Sequence, residues 1–403
     1  MSQVDQPQLA ESTLPFEFTG SGGEYFKIWI VNLILSILTL GIYSAWAKVR
    51  TNRYFYGNTR FADSNFEYHA KPITLLKGRL VAVALFLVYT FVSQLFPIYG
   101  IILAAIFLLA MPWIIWRSIQ FNSRMSSYRN VRFAFTGELK QAYKYILWLP
   151  ILPLLIAAIV GAVIFFATGS FDPRYISIVI GIGVLATYLM MPYVQKSITD
   201  YYISNQKYGQ GELNAKLSGK KYYMTYLALI GWFILIGIGL AIIVGVIVSV
   251  MGVDTSSMLQ GVLAASQGGA ADSLALPSFG IIAALYVPLL FVGVWFKAYV
   301  NSKIRNHVFS NTQLDDVLQF SSTMTVMRLF VFYSINLLLM VFTLGLAYPW
   351  VKVRIARFSA NATHAHVTGS LDQFVSQQQS HQSALGDEMG EAFDVGADVG
   401  IGF

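Results

Sequence analysis

The chain has 403 residues, of which 56% are hydrophobic and only 12% are charged. Soluble domains carry about 25% charged residues, so this composition excludes an ordinary soluble fold and predicts an integral membrane protein. The net charge is +7, but the basic residues stand in short loops between apolar runs. That pattern indicates orientation in a membrane rather than nucleic-acid binding. The absence of cysteine excludes disulfides and thiolate metal sites.

Eight apolar segments succeed one another along the chain, and most approach the roughly 20 residues that cross a bilayer core. They cover residues 25–46, 80–97, 98–116, 146–167, 175–195, 223–251, 278–296 and 329–350. The loops 46–79, 117–145, 194–222 and 297–328 hold seven, six, five and four Lys or Arg residues, whereas the intervening connections hold almost none. The positive-inside rule therefore places these four loops in the cytoplasm.

The sequence contains an internal repeat. The segment Asn32–Arg53 matches Asn336–Arg357 without a gap, with 11 of 22 positions identical. The shared block reads T-L-G, followed by W-x-K-V-R-x-x-R. It pairs Asn32, Trp46, Lys48, Arg50 and Arg53 with Asn336, Trp350, Lys352, Arg354 and Arg357. Chance similarity between apolar spans does not produce such a block.

A second repeated element precedes several apolar segments. Alternating aromatic and polar residues near Phe16, Phe66 and Phe133 predict short strands, two of which run into a glycine. The predicted unit is a cytoplasmic strand, a membrane hairpin and an exit helix that carries Lys and Arg. The predicted fold class is an all-α polytopic membrane protein with about eight apolar segments in roughly five hairpin repeats and short cytoplasmic strands between them.

The first and last repeats leave two topologies open. A short hairpin that turns at Gly41 and Gly345 would place both basic blocks, and both termini, in the cytoplasm, and this is the favoured interpretation. A straight span is supported by the aromatic residues at both ends of 25–46. The predicted domains are a polar segment at 1–14, the repeat-built membrane domain at 15–368, and a disordered acidic tail at 369–403.

Three motifs, in this order, resemble the YjgN family of bacterial inner-membrane proteins. They are F-E-F-T-G-S-G-G-E-Y-F from Phe16, the block Thr39–Tyr54, and N-V-R-F-A-F-T-G from Asn130. The resemblance covers roughly residues 14–370 and implies a multi-span fold in the bacterial inner membrane. The family is one of unknown function, so the resemblance implies no ligand, activity or catalytic residue.

The apolar segments contain no Asp, Glu or His, so a carboxylate that couples transport to protons is not predicted. His364 and His366 could share a strand face, but no third ligand stands nearby, and no metal site, cofactor or enzyme motif is predicted. The candidate sites are two. The Trp, Lys and Arg residues of the repeated block bind lipid head groups or set the topology. Asn32 and Asn336 either contact a pathway or form interhelical hydrogen bonds.

Two classes of function remain open at the level of sequence. One is a transporter, channel or lipid-handling facilitator, which a continuous polar cavity between repeats would support. The other is a structural or partner-binding scaffold with a cytoplasmic docking surface, which a solid apolar bundle beneath a folded sheet would support. Membrane lipids are the expected partners, nucleic acid is not, and a protein partner or homo-oligomer is left open.

Overall fold

The computed structural model describes residues 12–170, 172–250 and 277–380. Ten short strands alternate with pairs of helices, so that strand, helix, helix and strand recur five times. The strands are β1 (Ser12–Phe18), β2 (Thr59–Phe61), β3 (Ser64–Tyr68), β4 (Ser126–Tyr128), β5 (Val131–Phe135), β6 (Gln206–Tyr208), β7 (Gly211–Ala215), β8 (Thr312–Leu314), β9 (Leu318–Ser322) and β10 (Thr363–Val367).

The helices come in pairs between the two strands of each repeat, and one more helix follows the last strand. They are α1 (Gly22–Leu38), α2 (Ser44–Gly57), α3 (Pro72–Leu95), α4 (Pro97–Arg124), α5 (Leu139–Thr168), α6 (Pro173–Ser204), α7 (Gly219–Val250), α8 (Pro277–Ser310), α9 (Val326–Phe342), α10 (Tyr348–Asn361) and α11 (371–380). Helix α5 includes a π-helical turn at Tyr143–Trp148.

The ten strands form one closed antiparallel barrel. Each strand pairs with the strands that precede and follow it in the chain. Strand β1 also pairs with β10, which closes the ring. Within each repeat, the first strand pairs with the last, so the two ends of every helical pair meet at the barrel. Several of the strands have only three residues and could not persist alone in water. Closure supplies each of them with two partners.

One backbone hydrogen bond recurs in all five repeats, just beyond the end of the first strand. An N–H there donates to the carbonyl oxygen that immediately precedes the last strand of the same repeat, over 2.8–3.0 Å. The donors and acceptors are Thr19 and Asn58, His69 and Met125, Thr136 and Asn205, Lys216 and Asn311, and Thr323 and Ala362. The bond holds the two ends of the helical pair together. Because it recurs at the same position in all five repeats, it shows which residues of the repeats are equivalent.

Tight hairpin turns join one repeat to the next at the opposite end of the barrel. Ala62 and Asp63 both have positive φ angles, 43° and 60°, and Arg129 and Asn130 have φ angles of 47° and 65°. Two consecutive left-handed residues are the pattern of a type I′ turn, whose twist matches that of an antiparallel strand pair. The barrel therefore has a hairpin end and a helix end.

The chain divides into two compact bodies. The first comprises the described residues up to Gly219, Asn306–Thr323 and the described residues from Phe342 onward, and it contains the entire barrel. The second comprises Lys220–Arg305 and Met324–Val341, within its described part. In the second body the Trp295 ring contacts the rings of Trp232 and Phe330, with centroids 5.9 and 5.3 Å apart.

The repeated T-L-G sequence makes a turn and not a straight span. Helix α1 ends at Leu38, and Leu40 and Gly41 take φ angles of 50° and 91° before α2 begins at Ser44. The Thr39 hydroxyl donates to the Leu35 carbonyl (2.7 Å) and accepts the Tyr43 N–H (2.9 Å). Because β1 and β2 pair, the chain that leaves the barrel returns to it after a short hairpin.

The last repeat contains the same turn. Leu344 and Gly345 have φ angles of 50° and 87°, and the Thr343 hydroxyl accepts the Ala347 N–H at 3.0 Å. The flanking strands β9 and β10 pair, so this segment also begins and ends at the barrel. At both places the chain is a short hairpin.

The predicted all-α fold class with eight apolar segments is wrong. The strands associate in a closed barrel, and only five helices of the described chain are long and apolar enough to span a membrane: α3, α4, α5, α6 and the Gly219–Ile242 portion of α7. Two predicted segments, 25–46 and 329–350, are divided by the T-L-G turn. The segment 278–296 lies within α8, which is not among the five.

Both predicted terminal boundaries also shift. Strand β1 begins at Ser12, inside the segment assigned as a polar terminus at 1–14. Residues 371–380, assigned to a disordered tail from 369, form helix α11, because Phe374 and Val375 are buried against the barrel. Residues 1–11 and 381–403 lie outside the described residues.

Substitution of Gly41 or Gly345 by Ala tests the turn. Each glycine has a left-handed backbone, which costs an L-residue about 1–2 kcal/mol, so either change should lower the thermal midpoint of the purified protein. A Cβ at Gly41 or at Gly345 would meet no atom within 4 Å, so conformational strain alone is tested. The control Gly23→Ala lies in α1 with equally open surroundings and should leave the midpoint unchanged or raised. Equal changes in the thermal midpoint for all three variants would contradict the left-handed turn at Gly41 and Gly345.

Candidate functional site

The barrel interior is built from one cross-strand pair per repeat. In the same register, the pairs are Phe16 and Phe61, Phe66 and Tyr128, Phe133 and Tyr208, Leu213 and Leu314, and Phe320 and Ala365. All ten side chains belong to the barrel core. Alternation along a strand sends these residues inward and their neighbours outward. The interior is therefore mostly aromatic and entirely uncharged at this level.

Rings from successive repeats contact one another around the barrel. The Phe16 ring centroid lies 6.4 Å from that of Phe66 and 6.5 Å from that of Phe320, and Phe66 lies 6.4 Å from Phe133. The fourth repeat interrupts this ring, because it supplies Leu213 in place of phenylalanine. Aromatic contacts at these separations stabilise the interior beyond simple area burial.

Two tyrosines turn their hydroxyl groups away from the interior. The Tyr128 hydroxyl donates to the Phe61 carbonyl at 2.7 Å, and the Tyr208 hydroxyl donates to the Tyr128 carbonyl at 3.0 Å. Burial raises the pKa of both hydroxyls above the usual value. They stay neutral at physiological pH, and their rings, without a free polar group, line the interior.

A cavity of about 200 Å³ remains among these side chains, and its walls expose no polar surface. Its lining comprises Phe16, Phe61, Phe66, Tyr128, Phe133, Tyr208, Leu314, Leu318, Phe320, Leu371, Phe374 and Val375. Leu314, which lines the cavity, stands where the first three repeats have the larger residues Phe61, Tyr128 and Tyr208, so its smaller side chain leaves space there. Apolar cavities of this kind take up small apolar molecules.

Helix α11 lies at the hairpin end of the barrel. Its Phe374 ring is 6.2 Å from the Tyr208 ring, and Asp372 Oδ1 is 2.6 Å from Arg129 Nη1 in the turn between β4 and β5. Gln378, which is 7% exposed, accepts the Gln210 N–H at 2.7 Å. The helix thus contributes both a wall of the cavity and hydrogen bonds to two hairpin turns.

Two arginines of the predicted basic block fasten neighbouring repeats together. Arg53 Nη2 donates to the Ala70 carbonyl at 3.3 Å, at the junction between β3 and α3. Arg357 Nη2 donates to the Gly20 carbonyl at 2.8 Å, at the equivalent junction between β1 and α1. In each case the exit helix of one repeat holds the next repeat around the ring, and the fifth holds the first.

Other residue types serve the equivalent junctions elsewhere. Trp116 Nε1 donates to the Gly137 carbonyl at 2.6 Å, and within the second body Ser302 Oγ donates to the Met324 carbonyl at 2.7 Å. Each donor comes from the exit helix of the preceding repeat. The interaction is therefore preserved while the side chain that makes it changes, which explains why sequence similarity between the inner repeats is faint.

The remaining members of the basic block have varied surroundings. Trp350 stacks on Phe26 with ring centroids 4.9 Å apart, and Lys352 Nζ lies 5.4 Å from the Phe55 ring centroid. Trp46 stacks on Tyr43, while Lys48 and Arg50 are exposed and Arg354 is partly exposed. The block is not a single binding cluster, because its members face different neighbours.

Asn32 and Asn336 are both buried, each with 5% of its surface exposed. Neither amide nitrogen nor amide oxygen has a hydrogen-bond partner among the described residues. Asn32 lies in α1, which packs against α10 in the first body, and Asn336 lies in α9 in the second. Among the residues that the structure describes, neither side chain forms the predicted interhelical hydrogen bond.

The predicted pair His364 and His366 lies on the outer face of β10, opposite the inward-facing Ala365. The His366 ring is 2.8 Å from the Thr13 hydroxyl and 3.2 Å from the Ser321 hydroxyl, so it links β10 to both neighbouring strands. In the part of the chain that the structure describes, no three His, Asp or Glu residues stand close enough to hold a metal ion.

Comparison with known proteins shows the family of the chain. Residues 13–392 match the model of a family described as a bacterial protein of unknown function (DUF898). The chain belongs to this family. Together with the curated relatives of that name, this match confirms the resemblance to the YjgN family.

Curated relatives are similar along most of their length. The inner membrane protein YjgN of Salmonella typhimurium (strain LT2) is 29% identical over 370 residues, which is 88% of each chain. Inner membrane proteins YjgN of Escherichia coli O157:H7 and K12 are each 26% identical, over 89% of both chains. No solved structure matches the chain significantly. These relatives are inner membrane proteins, and the five long apolar helices of the described chain fit a membrane protein with several spans.

Replacement of Asn32 by Leu tests the unpartnered amide. A buried amide without hydrogen bonds costs about 1–3 kcal/mol, so Asn32→Leu should raise the thermal midpoint of the purified protein. The control Ser36→Leu changes a partly buried residue one turn further along α1. A lower midpoint in Asn32→Leu, restored by Asn32→Gln, would show that the amide bonds a group in the membrane and would contradict the expectation.

Proposed function

We propose that the protein is a non-catalytic lipid-handling facilitator that takes an apolar group, such as the end of an acyl chain, into the barrel. The observation that carries the proposal is the cavity of about 200 Å³ whose walls expose only apolar surface. A protein embedded in a bilayer meets acyl chains as its most abundant apolar ligands. The expected substrate class is therefore lipid, and the expected partners are membrane lipids.

The character of the cavity argues against polar or charged cargo at this site. The hydroxyls of Tyr128 and Tyr208 are already bonded to backbone carbonyls, so the lining offers no donor to a solute. Transfer of an unpaired charge into such surroundings is prohibitively unfavourable. Within the described chain, the barrel interior fits an apolar ligand better than a permeating ion.

The size of the cavity limits what enters without rearrangement. A dry apolar cavity of about 150 Å³ accommodates benzene, so 200 Å³ accepts a few methylene groups and not a whole acyl chain. Leu371, Phe374 and Val375 of α11 form part of the wall. A longer chain would have to displace these three side chains from the barrel.

The barrel is proposed to lie on the cytoplasmic side of the membrane. All ten strands meet in one barrel, so the loops between repeats share one side, and these are the loops that carry the clustered Lys and Arg residues. Basic loops stay in the cytoplasm during membrane insertion. Strand β1 and helix α11, near the two termini, would then be cytoplasmic as well.

Reporter fusions after Phe403 test this orientation. A fusion to a fluorescent protein that matures in the cytoplasm should be bright, and a fusion to alkaline phosphatase, which needs periplasmic oxidation, should be inactive. The matched control places both reporters after Thr168 in α5. Here the phosphatase should be active and the fluorescent protein dark, because a single span separates this point from the barrel. Phosphatase activity at the C-terminus would contradict the orientation.

Filling the cavity tests the lipid-binding proposal. Leu314→Phe introduces the residue that repeat 1 carries as Phe61, so the backbone should accept it while the cavity shrinks. Purified full-length protein would be irradiated with a fatty acid that bears a diazirine near its methyl end. We expect labelled barrel peptides in the original protein and at least a fivefold loss of labelling in the variant.

Leu314→Met, which keeps the volume, should retain the labelling. The thermal midpoint of Leu314→Phe should stay equal or rise, because a filled cavity gains contacts. Labels confined to the outer faces of helices, or undiminished barrel labelling in Leu314→Phe, would contradict the proposal.

A scaffold role is the second candidate, and the outer face of the barrel favours it. That face is polar and carries charged side chains in register, such as Lys207 Nζ at 2.6 Å from Glu212 Oε1 and Arg60 opposite Glu17. A folded, charged surface of this kind suits a soluble partner. Absence of barrel labelling in the original protein would favour this second role.

A further inference from the structure

The third repeat carries an open groove at the start of α5, separate from the barrel interior. Its volume is about 850 Å³, and it is lined by Glu138, Leu139, Lys140, Tyr143, Lys144 and Trp148. Lys140, Lys144 and Trp148 are spaced four residues apart, and all three are exposed. Along α5, the groove therefore presents two ammonium groups first and an indole ring after them.

After Trp148 the same helix is apolar from Leu149 to Ala167. Leu152 and Leu155 are exposed, and the 30-residue helix is one of those long enough to span the membrane. Tryptophan rings prefer the level of the lipid head groups, so Trp148 marks the boundary between water and hydrocarbon. The lysines lie on the wet side of that boundary, and the exposed leucines lie on the acyl side.

The charge of the groove favours an anion. Neither Lys140 nor Lys144 forms an ion pair with another described residue, and Lys144 Nζ lies 5.2 Å from the Tyr145 ring centroid. Glu138 supplies one negative charge at the rim, which leaves the lining with a net positive charge. A phosphodiester head group joined to two acyl chains matches this order of cation, indole and apolar surface.

The first two repeats do not reproduce this arrangement. Counting from the strand–helix junctions at Gly20 and Ala70, the first two repeats have Lys27 and Lys77 at the position of Lys144. They have Gly23 and Ile73 where the third has Lys140, and valine where it has Trp148. The π-helical turn at Tyr143–Trp148 also distinguishes α5 from α1 and α3. Such turns often occur at functional sites.

From this juxtaposition we infer that the groove binds the head group of an anionic glycerophospholipid, with Lys140 and Lys144 on the phosphate and Trp148 beside the glycerol. The site is independent of the barrel cavity. It would hold one lipid at a defined place on the protein, and it would discriminate by head-group charge, whereas the cavity would discriminate by apolar volume.

The test uses the full chain in uncharged detergent, supplemented with dioleoyl phosphatidylglycerol or with dioleoyl phosphatidylcholine. Lipid retention is counted by native mass spectrometry, and thermal midpoints are measured in parallel. Phosphatidylglycerol should be retained and should raise the midpoint more than phosphatidylcholine does. Lys140→Ala/Lys144→Ala should weaken its retention roughly tenfold or more, since each lysine contributes attraction to an anionic surface.

The matched control is Lys27→Ala/Lys77→Ala, which removes the same charge from the equivalent position in the first two repeats. It should keep most of the phosphatidylglycerol effect. Equal loss in the two double variants would overturn the inference, because unspecific surface charge would then explain the binding. Unchanged retention in Lys140→Ala/Lys144→Ala would overturn it as well.

Two further measurements complete the test. One asks whether the double variant is still folded, and the other asks whether a phosphate without acyl chains binds equally well. The midpoint of Lys140→Ala/Lys144→Ala in phosphatidylcholine should equal that of the original protein. Glycerol 3-phosphate, which lacks acyl chains, should not reproduce the stabilisation. Full stabilisation by glycerol 3-phosphate would overturn the assignment to a lipid.

Discussion

Pairing between the first and last strand of each repeat is the constraint on which the rest of the structure depends. A strand of three residues gains too few hydrogen bonds to offset the entropy of ordering it, so β2, β4, β6 and β8 exist only because longer strands flank them. The recurring bond from the first strand's end to the last strand's start brings the two ends of each helical pair together. Every helical pair therefore has to be a hairpin, whatever its length.

Departures from the repeat give the molecule its individual features. Leu314 stands inside the barrel where the first three repeats have an aromatic residue, and Phe374 from α11 lines the same cavity. Outside the barrel, Lys140 and Trp148 stand on α5 where the first two repeats have Gly23 or Ile73 and valine, while the lysine at the position of Lys144 is common to all three. In both places function is inferred from what distinguishes one repeat from the others.

Sequence patterns predicted the parts of this fold that depend on local chemistry. Alternating aromatic residues predicted strands at Phe16, Phe66 and Phe133, and T-L-G predicted a turn because glycine tolerates positive φ. Barrel closure was not predictable, since pairing of β1 with β10 joins residues more than 340 positions apart. The strands before the hairpin turns were missed because three residues give no periodic signal.

The candidate site was likewise only partly accessible from sequence. Arginines 53 and 357 were singled out for charge, but their observed role is to bind carbonyl oxygens of the neighbouring repeat. Phe374 was missed because a single aromatic residue in a segment rich in Gln and Ser resembles a solvated tail. A signal was present in the spacing of Leu371, Phe374 and Val375, which places the three on one face of a helix.

The pairing of β1 with β10 also bears on how the protein is made. The first strand leaves the ribosome hundreds of residues before the strand that completes it, so throughout synthesis one edge of the growing sheet offers unpaired backbone groups. Such an edge invites association with other chains, and contacts between distant parts of a sequence form slowly. A nascent chain would need its exposed edge shielded until the fifth repeat arrives, and a message truncated before codon 363 would yield a product with no means of closing it.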